Sequence, residues 1–94
     1  MTFIMAGKYS ADSVKQISGK RTAKVKQIIR QCGGTIVGVY ALLGEADILV
    51  IAEFPSIDKA MKASVGLNKA LGISFATIPA LRVEDFDKLV AGKP

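Results

Sequence analysis

The sequence predicts an α+β fold: a four-stranded antiparallel sheet with both principal helices on one face. Three observations predict it. Four apolar runs rich in strand formers alternate with two stretches in which apolar residues recur at intervals of three and four. A Gly-Glu pair divides the two middle runs like a hairpin turn. The chain has 94 residues, and a chain this short buries only about 60–65% of its unfolded surface, so one small domain spanning residues 1–94 is expected, and association would help it.

The elements follow in order. "TFIMAGKY", Thr2 to Tyr9, is a short apolar strand, and Ser10, Asp12 or Ser13 can cap the helix after it. From Val14 the apolar positions Val14, Ile17, Val25, Ile28, Ile29 and Cys32 form one helical face, which Gly33-Gly34 ends. Ser18-Gly19 lies inside that helix. A mid-helix glycine costs about 1 kcal/mol relative to alanine, so the helix can kink or break in two there. "TIVGVYALL" and "ADILVIAEF" flank Gly44-Glu45 and form a hairpin with a two-residue turn. Ser56 caps a second helix carrying Ile57, Ala60, Met61, Ser64, Leu67 and Leu71 on one side, and Gly72 closes it. "ISFATIPALR" is the fourth strand. Its Pro79 argues for a sheet edge, because proline cannot donate to an inner ladder. "VEDFDKLV" makes a short acidic C-terminal helix. The order β-α-β-β-α-β is the split βαβ, ferredoxin-like pattern.

Composition removes several function classes. Half the residues are apolar, yet no apolar run approaches the ~18 residues of a membrane span. "MTFIMAGKYS" has too short an apolar run and no charged leading segment for a secretory signal, so a cytoplasmic protein is expected. There is no histidine, and Cys32 is the sole cysteine. An intrachain disulfide, the usual zinc or haem ligand sets, and Ser-His-Asp or Cys-His catalysis are thereby excluded, and no metal or cofactor is called for. Cys32 ends a helix, where the dipole disfavours a thiolate, and reads as core packing.

The net charge of +5 raises the question of nucleic acid. Lys15, Lys20, Arg21, Lys24, Lys26 and Arg30 lie along the first helix with no acid between the first and last of them, a possible phosphate-facing surface. RNA-reading sheets place stacking aromatics on their central strands, however. "ADILVIAE" and "FIMAGK" offer one Phe between them, so nucleic acid is the weaker reading and a solvated basic face the stronger.

Asp47 and Glu53 interrupt the hairpin "YALLGEADILVIAEFP". A turn at residues 44–45 pairs Leu42 with Asp47 and Tyr40 with Leu49. One face then carries Val37, Val39, Ala41, Ile48, Val50 and Ala52, small and apolar, suited to lie under helices. The other carries Ile36, Gly38, Tyr40, Leu42, Asp47, Leu49, Ile51 and Glu53. Both helices of this topology cover a single face, so the mixed set, with Phe75, stays uncovered. A patch of that kind marks an interface or a ligand site, and two sheets packed face to face would bury it. A homodimer through the open face is therefore expected, with a higher oligomer left open.

"GKYS", "KRTAK", "CGGTIVGVYALLGEAD", "AEFPS" and "TIPALRVEDF" resemble the blocks of the GYD-domain family, small proteins of the dimeric α/β-barrel group, over nearly the whole chain. The family is named for a Gly-Tyr-Asp motif at the hairpin. Gly44 and Asp47 match it, while Ala46 stands at the tyrosine position, which weakens any role needing that ring. The resemblance implies the fold and the dimer and brings no established activity. It implies ligand-pocket residues at Lys8, Tyr9, Arg21, Tyr40, Asp47 and Thr77.

The residues allow bland readings as well. Arg21 shares a stripe with Val14 and Ile28, so its charge needs an acid, a carbonyl or a bound anion, unless it snorkels to water or sits at the Ser18-Gly19 break. Asp47 can cap turn amides, Tyr40 can be a core or interface aromatic, and Glu53 can be solvated or pair across a dimer. Topology gathers Lys8, Tyr9, Glu45, Asp47, Ser74 and Phe75 at one rim, near a helix N-terminus that could hold a carboxylate or phosphate. The leading function is a small-molecule-binding dimeric barrel taking a small acidic or polar ligand. The alternative is a small isomerase- or oxygenase-like enzyme acting on an oxo or hydroxy acid in the barrel pocket, with Asp47 as proton shuttle and Tyr40 or Arg21 orienting an oxyanion. A basic-helix interaction module comes last. The sequence does not decide whether the protein is an enzyme.

Overall fold

The structure, a computed structural model, describes residues 1–92. The elements run β1 (Thr2–Tyr9), α1 (Ala11–Val14), α2 (Gly19–Gln31), β2 (Thr35–Ala41), β3 (Ile48–Glu53), α3 (Ile57–Leu71), β4 (Ile73–Ala80) and α4 (Val83–Ala91). The four strands form one open antiparallel sheet in the order β2-β3-β1-β4. β1 and β2 are therefore parallel with β3 between them, and β3 and β4 are parallel with β1 between them. Pro79 sits on the edge strand β4, where a missing donor costs no ladder bond.

The helix boundaries follow from serine caps. Ser10 accepts the Ser13 N–H at 3.1 Å, Ser18 the Arg21 N–H at 3.2 Å, and Ser56 the Lys59 N–H at 3.3 Å. Each serine has extended backbone angles, which is what a cap requires. The chain is thus broken at Ser18, and α1 and α2 are separate helices. Val14 and Ile17 consequently leave the apolar face expected of a continuous helix and are exposed, while Arg21, Val25 and Ile29, four apart on α2, are buried. Gly33 takes a φ of +81° and Gly72 one of +68°, left-handed conformations that release the chain from α2 and α3.

The core lies between the sheet and α2 with α3. Phe3, Met5, Ile48, Val50, Ala52, Phe54 and Ile73 from the sheet side meet Val25, Ile29, Ala60, Ala63 and Leu67 from the helices. Phe3 and Phe54 pack edge to face, with ring centroids 5.8 Å apart. On α3 the buried stripe is Ala60, Ala63 and Leu67, so Ile57 and Met61, expected on that side, are exposed instead.

Three further expectations about the sheet are corrected. β2 pairs with β3 as Tyr40↔Leu49, Val39↔Val50 and Gly38↔Ile51, but a bulge between Ile36 and Gly38 shifts the register, and Ile36 then pairs with Ala52. The extra residue exchanges two side chains: Ile36 packs against the core and Val37 is exposed. Phe75 pairs with Gly7 and packs against the core, so it belongs to the covered face. A Cβ on Gly7 would lie 2.6 Å from both Ile48 Cγ2 and Phe75 Cε1. The glycine thus makes room for the ring. The hairpin connection is also longer than a two-residue turn, since β2 ends at Ala41 and β3 begins at Ile48.

Candidate functional site

The open face of the sheet carries the alternate residues of each strand. From β1 come Thr2, Ile4, Ala6 and Lys8; their partners are Glu53, Ile51 and Leu49 on β3, and Ala80, Ile78, Ala76 and Ser74 on β4. Val37 and Tyr40 on β2 and Ile78 on β4 are more than half exposed. Tyr40 leans along its strand over Gly38, where an added Cβ would meet the ring at 3.0 Å. No helix covers this face, and contiguous exposed apolar surface of this kind marks an interface or a ligand site.

At one end of the face is a groove of about 420 Å³. Its polar groups are Lys8 from β1, Ser74 from β4 and Glu45 from the β2–β3 connection; Ala6, Ala46 and Ala76 give it an apolar floor. The groove exists because the connection crosses the end of β1, where the Asp47 N–H donates to the Gly7 carbonyl at 2.8 Å. Lys8, Glu45, Ser74 and Phe75, expected at one rim, do meet there. The small residues Ala6, Ala46 and Ala76 were missed, since alanine carries no chemical signal. Only the in-out alternation along β1 and β4 could have placed Ala6 and Ala76.

Asp47 does something other than cap its own turn. Its Oδ2 accepts the Tyr9 N–H at 2.8 Å, and its carbonyl accepts the Leu42 N–H at 2.9 Å. The carboxylate thus ends the β1–β3 ladder, accepting from a backbone donor beyond the last paired residue of β3. It ties three segments together: the end of β1, the end of β2 and the start of β3.

On the covered side of Tyr9 lies Arg21, 7% exposed. Its guanidinium carbon stands 4.3 Å from the centroid of the Tyr9 ring, and its Nη1 donates to the Ser13 carbonyl. Among the described residues no carboxylate pairs with it; the one ion pair is the exposed Arg82–Glu84 contact at 3.6 Å. Of the three partners its position called for, Arg21 has the carbonyl, supplemented by an aromatic face. The break at Ser18 is what lets α1 present that carbonyl to α2.

The six residues expected in a pocket are therefore divided. Tyr9, Arg21 and Asp47 form a linked set at the end of β1. Lys8 and Tyr40 lie on the open face. Thr77 pairs with Met5 on the covered face, and its buried hydroxyl finds no partner. Cys32 is half buried against the core. Among the described residues no group of three His, Cys, Asp or Glu gathers as a metal would need, and no helix is long and apolar enough to cross a membrane.

A family model for the GYD domain matches residues 3–90, all the elements above but for their outermost residues. The chain belongs to the GYD-domain family. No curated protein matches it, and no solved structure does. Membership in the GYD-domain family thus rests on that match, which spans the groove and the Tyr9–Arg21–Asp47 set.

Proposed function

We propose that this GYD-domain protein is a cytoplasmic small-molecule-binding protein that works as a homodimer, with a small acidic or polar ligand held in the groove between Lys8, Glu45 and Ser74. The observation that carries the reading is the groove itself. It joins one cation, one carboxylate and one hydroxyl to an apolar floor, on a sheet face that no helix covers. An ammonium beside an apolar surface suits a short organic anion, whose charge meets Lys8 and whose carbon chain lies on the alanines.

The strand order and one-sided helices support a ferredoxin-like fold, and the uncovered apolar face supports a dimeric α/β barrel in which two sheets close on each other. A second sheet would turn the shallow groove into an enclosed site and exclude water, which strengthens the Lys8 contact. The enzyme reading draws less support: Asp47, its proton shuttle, is held by main-chain N–H of Tyr9 and does not line the groove.

Titration of the ¹⁵N-labelled protein with 2-oxo and 2-hydroxy acids of three to six carbons tests the reading. Shifts should gather at Gly7, Lys8, Ala46 and Ser74, and Lys8→Ala should weaken binding about tenfold or more, the loss of one charge-assisted contact. Shifts confined to α2, or none at millimolar acid, would overturn it.

A further inference from the structure

α4 is a helix without a partner. None of its residues is buried, and it exposes Val83, Phe86, Leu89 and Val90. Those positions recur at three and four, so they form one apolar stripe. Nine residues are too few for a helix to be stable alone in water. The shape of the chain agrees: the radius of gyration is 14.5 Å and the longest extent 52 Å, whereas a compact domain of this length has a radius near 12 Å. β4 runs back from the end of α3 at Leu71 to Ala80, and α4 starts at the far end of the sheet, where Leu81, Arg82 and Asp85 border a groove with Thr2 and Glu53.

A second unpartnered stripe lies on α3 itself. Ile57, Met61 and Val65, at intervals of four, are each more than half exposed. Val65 opens into a groove of about 350 Å³ between α3 and the edge of β4, with Ser64, Asn68 and Lys69 on its helix wall. The stripe from Ile57 to Val65 is about 12 Å long and that from Val83 to Val90 about 10 Å, at 1.5 Å per helical residue. Their charges are opposite. α4 carries Glu84, Asp85 and Asp87 against Lys88, while Lys62 and Lys69 stand exposed beside the α3 stripe.

We propose that α4 is an arm that docks along the α3–β4 groove of a second copy of this chain, its apolar stripe on Ile57, Met61 and Val65 and its acids toward Lys62 and Lys69. Both halves of the contact are exposed on every molecule, so the occupant is always present. The contact uses the helix side of the molecule and the open-face dimer the sheet side, with Leu81 and Arg82 at the root of α4 bordering the open face. If both form, open-face dimers are joined into a larger assembly.

Equal amounts of ¹⁴N and ¹⁵N full-length protein, refolded together so that copies mix, can be joined with a zero-length carbodiimide and digested with trypsin. The peptide Val83–Lys88, which holds the three acids, should be found linked to peptides containing Lys62 or Lys69, in mixed-isotope pairs. Leu49→Asp, on the open sheet face, should leave those pairs in place. Phe86→Glu, at a half-exposed position outside the core, should lower their yield about tenfold; Leu89→Glu serves in its place if circular dichroism shows that variant unfolded. Pairs of a single isotope only, which mean that α4 folds back on its own chain, would overturn the proposal. So would links from α4 to Lys20, Lys24 or Lys26 of α2, an absence of α4 links, or a yield indifferent to both glutamate variants.

Discussion

The two faces of the sheet are made from the same strands, residue by residue in alternation, and they differ in every respect that matters for function. On the covered face Phe3, Met5, Val50, Ala52 and Ile73 are at most 2% exposed, locked against α2 and α3. On the open face Ile4, Leu49 and Ile51 remain partly exposed and Ile78 more than half so, with Lys8, Glu53 and Tyr40 among them. The covered face spends its apolar area on folding one chain. The open face holds apolar area that folding does not use, and a surface of that kind serves association or binding. Substitutions on the covered face should therefore register as lost folding stability, and those on the open face as lost assembly or ligand.

The largest effect is expected on the covered face. Phe54 is buried against Phe3, Ile29 and Gly34, and Phe54→Ala should cost about 3–5 kcal/mol in urea unfolding, the usual loss for a buried aromatic cut to a methyl group. A cost under 1 kcal/mol would mean that this face is not the core. Next is Arg21, where the covered face meets its polar edge. Arg21→Ala removes the donor to the Ser13 carbonyl and the cation on Tyr9, and should cost about 2–3 kcal/mol. Arg21→Lys keeps the charge and loses the flat stacking surface, so it should recover only part of that.

Asp47 marks the seam between the faces. Asp47→Asn retains an acceptor for the Tyr9 N–H and should cost about 1 kcal/mol or less, whereas Asp47→Ala leaves that donor unpaired and should cost about 1–3 kcal/mol. The two variants compared by thermal unfolding read the role directly. An asparagine as damaging as the alanine would mean that the carboxylate acts through its charge, and that the ladder-ending role is secondary.

The sequence made the frame legible because local chemistry decides it. Serine caps, Gly33 and Gly72, the alternation in β3 and the proline of an edge strand are all short-range signals, and each element stands where they point. The break at Ser18 was legible for the same reason. What failed depended on partners distant in sequence. Val37 and Ile36 exchange faces through a bulge whose only local hint is Gly38 inside a strand. Phe75 changed faces because the register of β4 is set by β1, more than sixty residues earlier. The Tyr9–Arg21–Asp47 set joins three segments, and the pocket set implied by resemblance divides because residues of one family block point to both sides of the sheet. The exposure of α4 has no local signature at all, since its apolar spacing is that of any helix that packs.

The smallest effect on the folded protomer carries the most weight. Leu49 lies on the open face beside Tyr40 and Ala6, so Leu49→Asp should leave the secondary structure and the protomer intact. In sedimentation equilibrium at micromolar concentration, with Phe86→Glu as background so that α4 cannot hold copies together, the parent should run at twice the 9.9 kDa chain mass. Leu49→Asp in the same background should run as the single chain, because a charge without a partner would be buried between the sheets. A parent that is already monomeric there, or a dimer that the aspartate does not disturb, would contradict the claim that the open face is where a second copy closes the site.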